Sequence, residues 1–280
     1  MKRIVIFMLS FFCLLSCSSS YIDSEPIGED KVPDGCVNVN FFPKGLDIVK
    51  TRSVISEAGL YGTYLVDEQE GAVFNYKFCL AEDDLSIPLK LGSHKMYLVA
   101  SNSKYSELDT NEKIVKFEKV TDTYLWSGDV NVTPNIGSVE ANVKRMNYKL
   151  SFLLSDKIPS NAVKVSVLIS VYYKNLSLTG GTIETGDTYI ENITITDEQK
   201  KLDYGATFSI CGFSPNEYEY TTGCTITFLD SNNNAVTEQH FDVPLQNGYH
   251  TKVMGNYSQI STSFTPVIDV SYMGEKEVIF

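Results

Sequence analysis

Val163, Val165, Val167, Ile169, Val171 and Tyr173 occupy every second position of one segment. A strand turns successive side chains to opposite faces, so this alternation puts the whole set on one face of a sheet. A helix would need apolar residues every three to four positions. The same period runs through most of the chain. Val37 to Phe42 alternates, Phe74, Tyr76, Phe78 and Leu80 share a face, and so do Met96, Leu98 and Ala100. Leu60 to Val66, Ile114 to Phe117 and Thr123 to Val132 are further strand candidates, followed by seven runs between Tyr189 and Phe280. Turn residues separate them, among them Gly180-Gly181, Asn232-Asn233-Asn234 and Asn247-Gly248. The chain holds 17 Tyr and 15 Phe, which suits half-buried pleated surfaces. Many short strands at regular spacing predict β-sandwiches, and 280 residues accommodate two. Pro134 and Gly137 interrupt the pattern and set the expected break between residues 36–135 and 136–280. Val139, Ala141 and Val143 have odd parity, whereas Met146, Tyr148, Leu150 and Phe152 have even parity. The inward face therefore switches near Lys144-Arg145, which predicts a β-bulge or a bend.

The N-terminus has a different character. Lys2 and Arg3 precede the apolar run Ile4 to Leu15, which is short for a bilayer span and has the length of a signal-peptide core. It ends in Leu14-Leu15-Ser16-Cys17, which resembles a bacterial lipobox. That resemblance implies cleavage after residue 16 and acyl chains, palmitate among them, on Cys17. Several chains on one residue exceed what stable anchoring requires. Residues 17–35 are polar, acidic and turn-rich, as a tether between membrane and fold should be. The alternative is a plain secretory signal with a chance cysteine.

Patterns that carry catalysis or metal binding are weak. Ser101-Asn102-Ser103-Lys104 matches a Ser-x-x-Lys pair but follows a strand instead of opening a helix. Glu82-Asp83-Asp84 lacks the ligand spacing of a calcium loop. His94, His240 and His250 are far apart and read as strand or surface residues, so neither a metal nor a cofactor is expected. The net charge of −12 repels phosphate backbones, which argues against nucleic acid as a partner. Beyond Cys13 and Cys17, the cysteines are Cys36, Cys79, Cys211 and Cys224. Cys211 and Cys224 sit on neighbouring predicted strands across a loop containing Pro215, a candidate disulfide worth about 3 kcal/mol. The alternative is buried thiols. Trp126 falls in a predicted strand and reads as core.

The ordered motifs resemble the fimbrillin superfamily, the pilin-like lipoproteins of type V pili. The opening Cys17…Cys36-Val37-Asn38-Val39-Asn40-Phe41 is similar to its anchor branch. Gly62 to Gly71 resembles its strand and acidic turn, and Leu91 to Asn102 its Gly-x-Tyr-x-hydrophobic-Ala-x-Asn strand. Arg145 to Phe152 resembles the strand that opens the second domain, and Val243 to Tyr257 is the most specific match. The resemblance implies an all-β chain of two tandem transthyretin-like Greek-key sandwiches. It implies a non-enzymatic role as a structural subunit of a fimbrium, lipid-anchored in the cell outer membrane, whose partners are other fimbrial subunits. Subunits of that family join when a strand of one fills a groove in the next. Stalk and tip precursors are first cut by an Arg-specific protease, and Arg52 stands where that cut would fall. An anchor or minor subunit instead keeps its lipid and its first strand. A second class, a surface lipoprotein that binds host or bacterial glycans, would use exposed aromatics such as Tyr172-Tyr173 or Tyr218-Glu219-Tyr220.

If Cys17 carries the anchor, Cys17→Ala leaves only a hydrophilic tether. Membrane fractionation should then move the protein to the soluble fraction; a mutant that stays fully membrane-bound would contradict the lipobox.

Overall fold

The computed structural model describes residues 32–44, 61–69, 72–78, 85–103, 106–179, 186–215, 218–256 and 265–269. In chain order the first strands are β1 (Cys36–Lys44), β2 (Tyr61–Gln69), β3 (Ala72–Phe78), β4 (Ser86–Lys90), β5 (Gly92–Ser101), β6 (Ser106–Asp109), β7 (Ile114–Phe117), β8 (Thr123–Val132), β9 (Ser138–Asn142) and β10 (Lys144–Arg145). They are followed by β11 (Asn147–Leu154), β12 (Lys164–Tyr172), β13 (Asn175–Ser177), β14 (Asp187–Thr194), the single helical turn α1 (Asp197–Lys201), β15 (Thr207–Phe213), β16 (Tyr220–Leu229), β17 (Ala235–Leu245), β18 (His250–Gly255) and β19 (Thr265–Asp269). The chain is all-β. Its short helix carries a capping box, in which Thr196 and Gln199 satisfy each other's backbone N–H.

One sandwich packs the sheet β4-β1-β9 against β10-β8-β5-β2-β3. The other packs β15-β11-β18-β19 against β14-β12-β16-β17. The two have the same topology. β1 lies between antiparallel β4 and parallel β9, as β11 lies between antiparallel β15 and parallel β18. In the facing sheets, β2 pairs with β3 and β5, and β5 with β8; β12 pairs with β14 and β16, and β16 with β17. A Greek-key sandwich is thus built twice without an obvious sequence repeat, since burial asks only for apolar alternation at each strand. The edges are managed. Pro88 sits in edge strand β4 and Pro244 in edge strand β17, where a missing N–H costs little. Glu238, His240 and Asp242 put exposed polar and charged side chains along β17.

The parity switch marks where the chain changes sandwich. Ala141 and Val143 are buried in the first core, and Tyr148, Leu150 and Phe152 in the second. The crossing is a break at Val143 and Met146 around the two-residue β10, which pairs with β8. β9 and β10, on the C-terminal side of Pro134, pair with β1 and β8. Asn147 is buried at this junction, its side-chain carbonyl accepting the Thr123 N–H at 2.9 Å. A fifth sheet, β13-β7-β6, joins a hairpin of the first half to a strand of the second. It explains why β5 is buried on both faces. Met96 and Leu98 face one core, while Tyr97 and Val99 face the other with Leu108, Val115 and Phe117. Phe117 packs on Phe213 with ring centroids 5.4 Å apart, and Lys113 pairs with Glu68 of β2.

Val165, Val167 and Ile169 are fully buried, as their alternation predicts. Val171 is not. The β12–β14 register shifts between Ile169 and Tyr172, so Tyr172 enters the core and Val171 is left half-buried. Among the described residues no helix is long and apolar enough to cross a membrane.

Val167→Asp buries a carboxylate among Ile226, Phe228 and Phe152 and should cost more than about 4 kcal/mol. Ser166→Asp lies on the opposite face, opposite Asn192 and Thr227, and should cost under about 1 kcal/mol. Urea denaturation checks both; equal losses would mean that the outer face is as dry as the core.

Candidate functional site

The feature with the clearest capacity for function is the groove that holds β1. Here β1 is central, matched by five residue pairs to β4 and five to β9. Phe41 N–H donates to the Leu85 carbonyl at 2.7 Å, and Asn40 N–H to the Gly137 carbonyl at 3.2 Å. Alternation sends Val39 and Phe41 inward and leaves Asn38, Asn40 and Phe42 exposed. Val39 and Phe41 fill the space between Ile87, Leu89 and Ala141, and Phe41 meets Trp126 edge-on at 6.4 Å. Trp126 is a half-buried strand residue packed on this core. Without β1, β4 and β9 would each face an open gap of unpaired backbone groups above an apolar floor.

One end of the groove is held by a buried polar pair. His94 and Asp67 have side chains 0% and 3% exposed. His94 Nε2 must donate to the Lys90 carbonyl at 2.8 Å, because a carbonyl only accepts. His94 Nδ1 lies 2.8 Å from both Asp67 oxygens, so ring and carboxyl share a proton there. Burial pushes the Asp67 carboxyl above its usual range, opposed by the hydrogen bond and charge of His94. Lys90 is the register partner of Cys36, so this bond fixes the corner where β1 begins. Gly92 completes the corner with φ +128, which favours glycine. His94 lies on a strand, as its place in the sequence predicts; its partner Asp67 is not legible in the sequence, because only the β2–β5 register brings the two together.

The other singled-out residues do not converge. Cys17, Arg52, Cys79 and the Glu82-Asp83-Asp84 turn lie outside the described residues, as does Lys104. Ser101 is buried and hydrogen-bonds Thr123 at 2.9 Å. His240 meets Thr225 and Glu238 on β17, and His250 meets Ser151 at 2.8 Å. The Cys211–Cys224 disulfide is not formed: both are free thiols. Cys211 shares a sheet face with Lys149, opposite the face of Leu150 and Ile210, while Cys224 points into the core beside Ile226. They belong to different sheets and to opposite faces, so adjacency in sequence did not make them neighbours. Burial pushes each thiol up to about 12. Tyr172 is core, and Tyr173 and Tyr220 pack edge-on at 5.7 Å, so these serve packing. Tyr218 alone of that set is exposed.

No protein-family model matches the sequence. No curated protein matches it either. Solved structures do share the fold. A "putative adhesin" from Bacteroides ovatus aligns with TM-score 0.51 and 12% identity over 84% of this chain and 93% of that one. A "putative cell adhesion protein" from Bacteroides uniformis aligns with TM-score 0.50 and 13% identity, covering 84% and 98%. A structure of "putative polysaccharide binding proteins" from Bacteroides thetaiotaomicron aligns with TM-score 0.50 and 11% identity, covering 84% and 96%. At such identities the likeness is one of fold, and it spans nearly the whole length of those chains.

Phe41→Ala empties the centre of the groove and should destabilise the chain by about 3–5 kcal/mol. Phe42→Ala, on the exposed face of the same strand, should cost under about 1 kcal/mol. Comparable losses in chemical denaturation would show that β1 is held by its backbone ladder alone.

Proposed function

We propose that this chain is a surface lipoprotein that serves as a structural subunit, an anchor or minor subunit, of a type V fimbria. The carrying observation is the central placement of β1 between β4 and β9. A groove of this form binds a strand through two backbone ladders and alternate side-chain pockets, which is the chemistry of strand addition between subunits. The lipobox-like Leu14-Leu15-Ser16-Cys17 supports membrane attachment. The fold neighbours described as adhesion proteins support a role at the cell surface. No catalysis is part of this reading.

Arg52 decides between branches, since it lies between β1, ending at Lys44, and β2, starting at Tyr61. Cleavage after Arg52 would release Cys17 to Arg52 together with β1 and its buried Val39 and Phe41. Such a product is a stalk or tip subunit whose open groove accepts a donor strand. An anchor must keep this segment, because the lipid and the strand lie on the same piece of chain.

The expected N-terminus of the mature protein is an acylated Cys17, read by N-terminal sequencing and intact mass. Ser53 at the N-terminus would replace the anchor with a stalk or tip subunit, and a start at neither position would count against both.

A further inference from the structure

Away from the β1 groove, a cleft of about 270 Å³ opens at the junction of the sandwiches. Asn102, Lys119 and Asp122 line it from the first half, and Lys149, Tyr189 and Glu191 from the second. Junctions of this kind are common sites for small ligands. The aromatic wall is fixed in advance. Tyr189 stacks on Tyr172 at 4.1 Å and 14° between planes. Tyr172 is buried and donates its hydroxyl to the Cys211 carbonyl at 2.8 Å, so it cannot turn away. Tyr189 is only half-buried, with one face on Tyr172.

Two lysines and two carboxylates line the cleft, and Arg145, outside the lining, pairs with Asp122 and so leaves one lysine in surplus. Glu191 accepts from Lys119 Nζ at 2.6 Å and from the Tyr189 hydroxyl. Asp122 is paired with Arg145, whose guanidinium also donates to Tyr124 Oη at 2.5 Å. Each carboxylate therefore has its cation and keeps lone pairs for further donors. Lys149 is half-buried on β11, across from Cys211 on β15, and has no ion pair among the described residues. In a chain of net charge −12, one surplus cation beside a rigid aromatic face and two paired carboxylates is a specific combination.

We propose that this cleft binds an acidic pyranose, a sugar ring bearing one carboxylate, such as a uronic acid unit of a polysaccharide. The apolar face of the ring lies on the free face of Tyr189, as amphipathic rings pack on aromatic side chains. The sugar carboxylate meets Lys149 Nζ in a charge-assisted hydrogen bond. Ring hydroxyls donate to Glu191 and Asp122. A neutral sugar would leave Lys149 unmatched, and one surplus positive charge matches a monoanion better than a phosphate dianion. The cleft is smaller than the pockets that hold drug-sized molecules, which suits a single ring. The proposal does not depend on how the chain is anchored or assembled.

The test is titration of the mature chain in detergent with glucuronate, galacturonate and glucose, followed by saturation-transfer NMR. One uronate should bind with a dissociation constant on the order of 1 mM, the scale expected for a ligand this small. Glucose should bind about tenfold more weakly or worse. Lys149→Met, which keeps the apolar stem, and Tyr189→Ala should each weaken uronate binding about tenfold, whereas Tyr218→Ala, in a loop outside the cleft, should leave it unchanged. Thermal melting shows that each variant is folded, and Lys149→Met carries the test alone if Tyr189→Ala is not. Absence of saturable uronate binding well above that constant, equal affinity for glucose, or binding indifferent to Lys149→Met would overturn the proposal. None of these outcomes alters the N-terminus of the mature protein, so failure here and failure of the fimbrial reading are separate.

Discussion

The first sandwich depends on one insertion. β1 sits between β4 and β9, so three segments far apart in sequence form a sheet only once the N-terminal strand is in place. Its inward residues are few, Val39 and Phe41 above all, yet each is in a tightly filled core where an apolar side chain contributes about 1.5–3 kcal/mol. The backbone matters as much. β4 and β9 have no ladder with each other, so β1 satisfies the facing N–H and C=O groups of both. The second sandwich solves the same problem with β11, which is continuous with the first sandwich through β10 and cannot be removed. The topological twin of the first strand is thus a permanent one, while β1 hangs on a single connection to β2.

The two sandwiches are coupled by sheets and side chains at once. The sheet β13-β7-β6 takes strands from both halves and covers the outer face of β2 and β5. This makes β5 a strand with two dry faces, and its sequence from Met96 to Ala100 is continuously apolar for that reason. Such a junction is unlike a flexible linker, and it gives the cleft beside Tyr189 fixed walls. Polar groups at the junction are paired: Asn147 with Thr123, Arg145 with Asp122, and Lys119 with Glu191.

The alternation of apolar residues made the strands legible. Ile114–Phe117 and Thr123–Val132 coincide with β7 and β8, and Val165, Val167 and Ile169 face the core as the period requires. The period could not show that Tyr172 replaces Val171, because a bulge adds a residue without changing the composition of the run. Nor could it pair Asp67 with His94, which are 27 positions apart and meet through sheet register. The Cys211–Cys224 expectation failed for a related reason. β15 and β16 are consecutive in sequence but lie in different sheets of the sandwich, so closeness along the chain does not here give closeness in space.

What the sequence determined by itself was local: the all-β character, the turns, and the inward residues of the strands that run without a bulge. These follow from the two-residue period of a strand and the special backbone demands of Gly, Pro and Asn, which act within a few residues. The tertiary structure alone decided which strands are neighbours, that β1 is central, that one topology is used twice, and that Lys149 and Tyr189 face one cleft. Strand pairing is a contact between distant segments, and its backbone hydrogen bonds are the same whichever side chains are present. Many pairings satisfy one alternation pattern, and only the joint packing of all the faces selects among them.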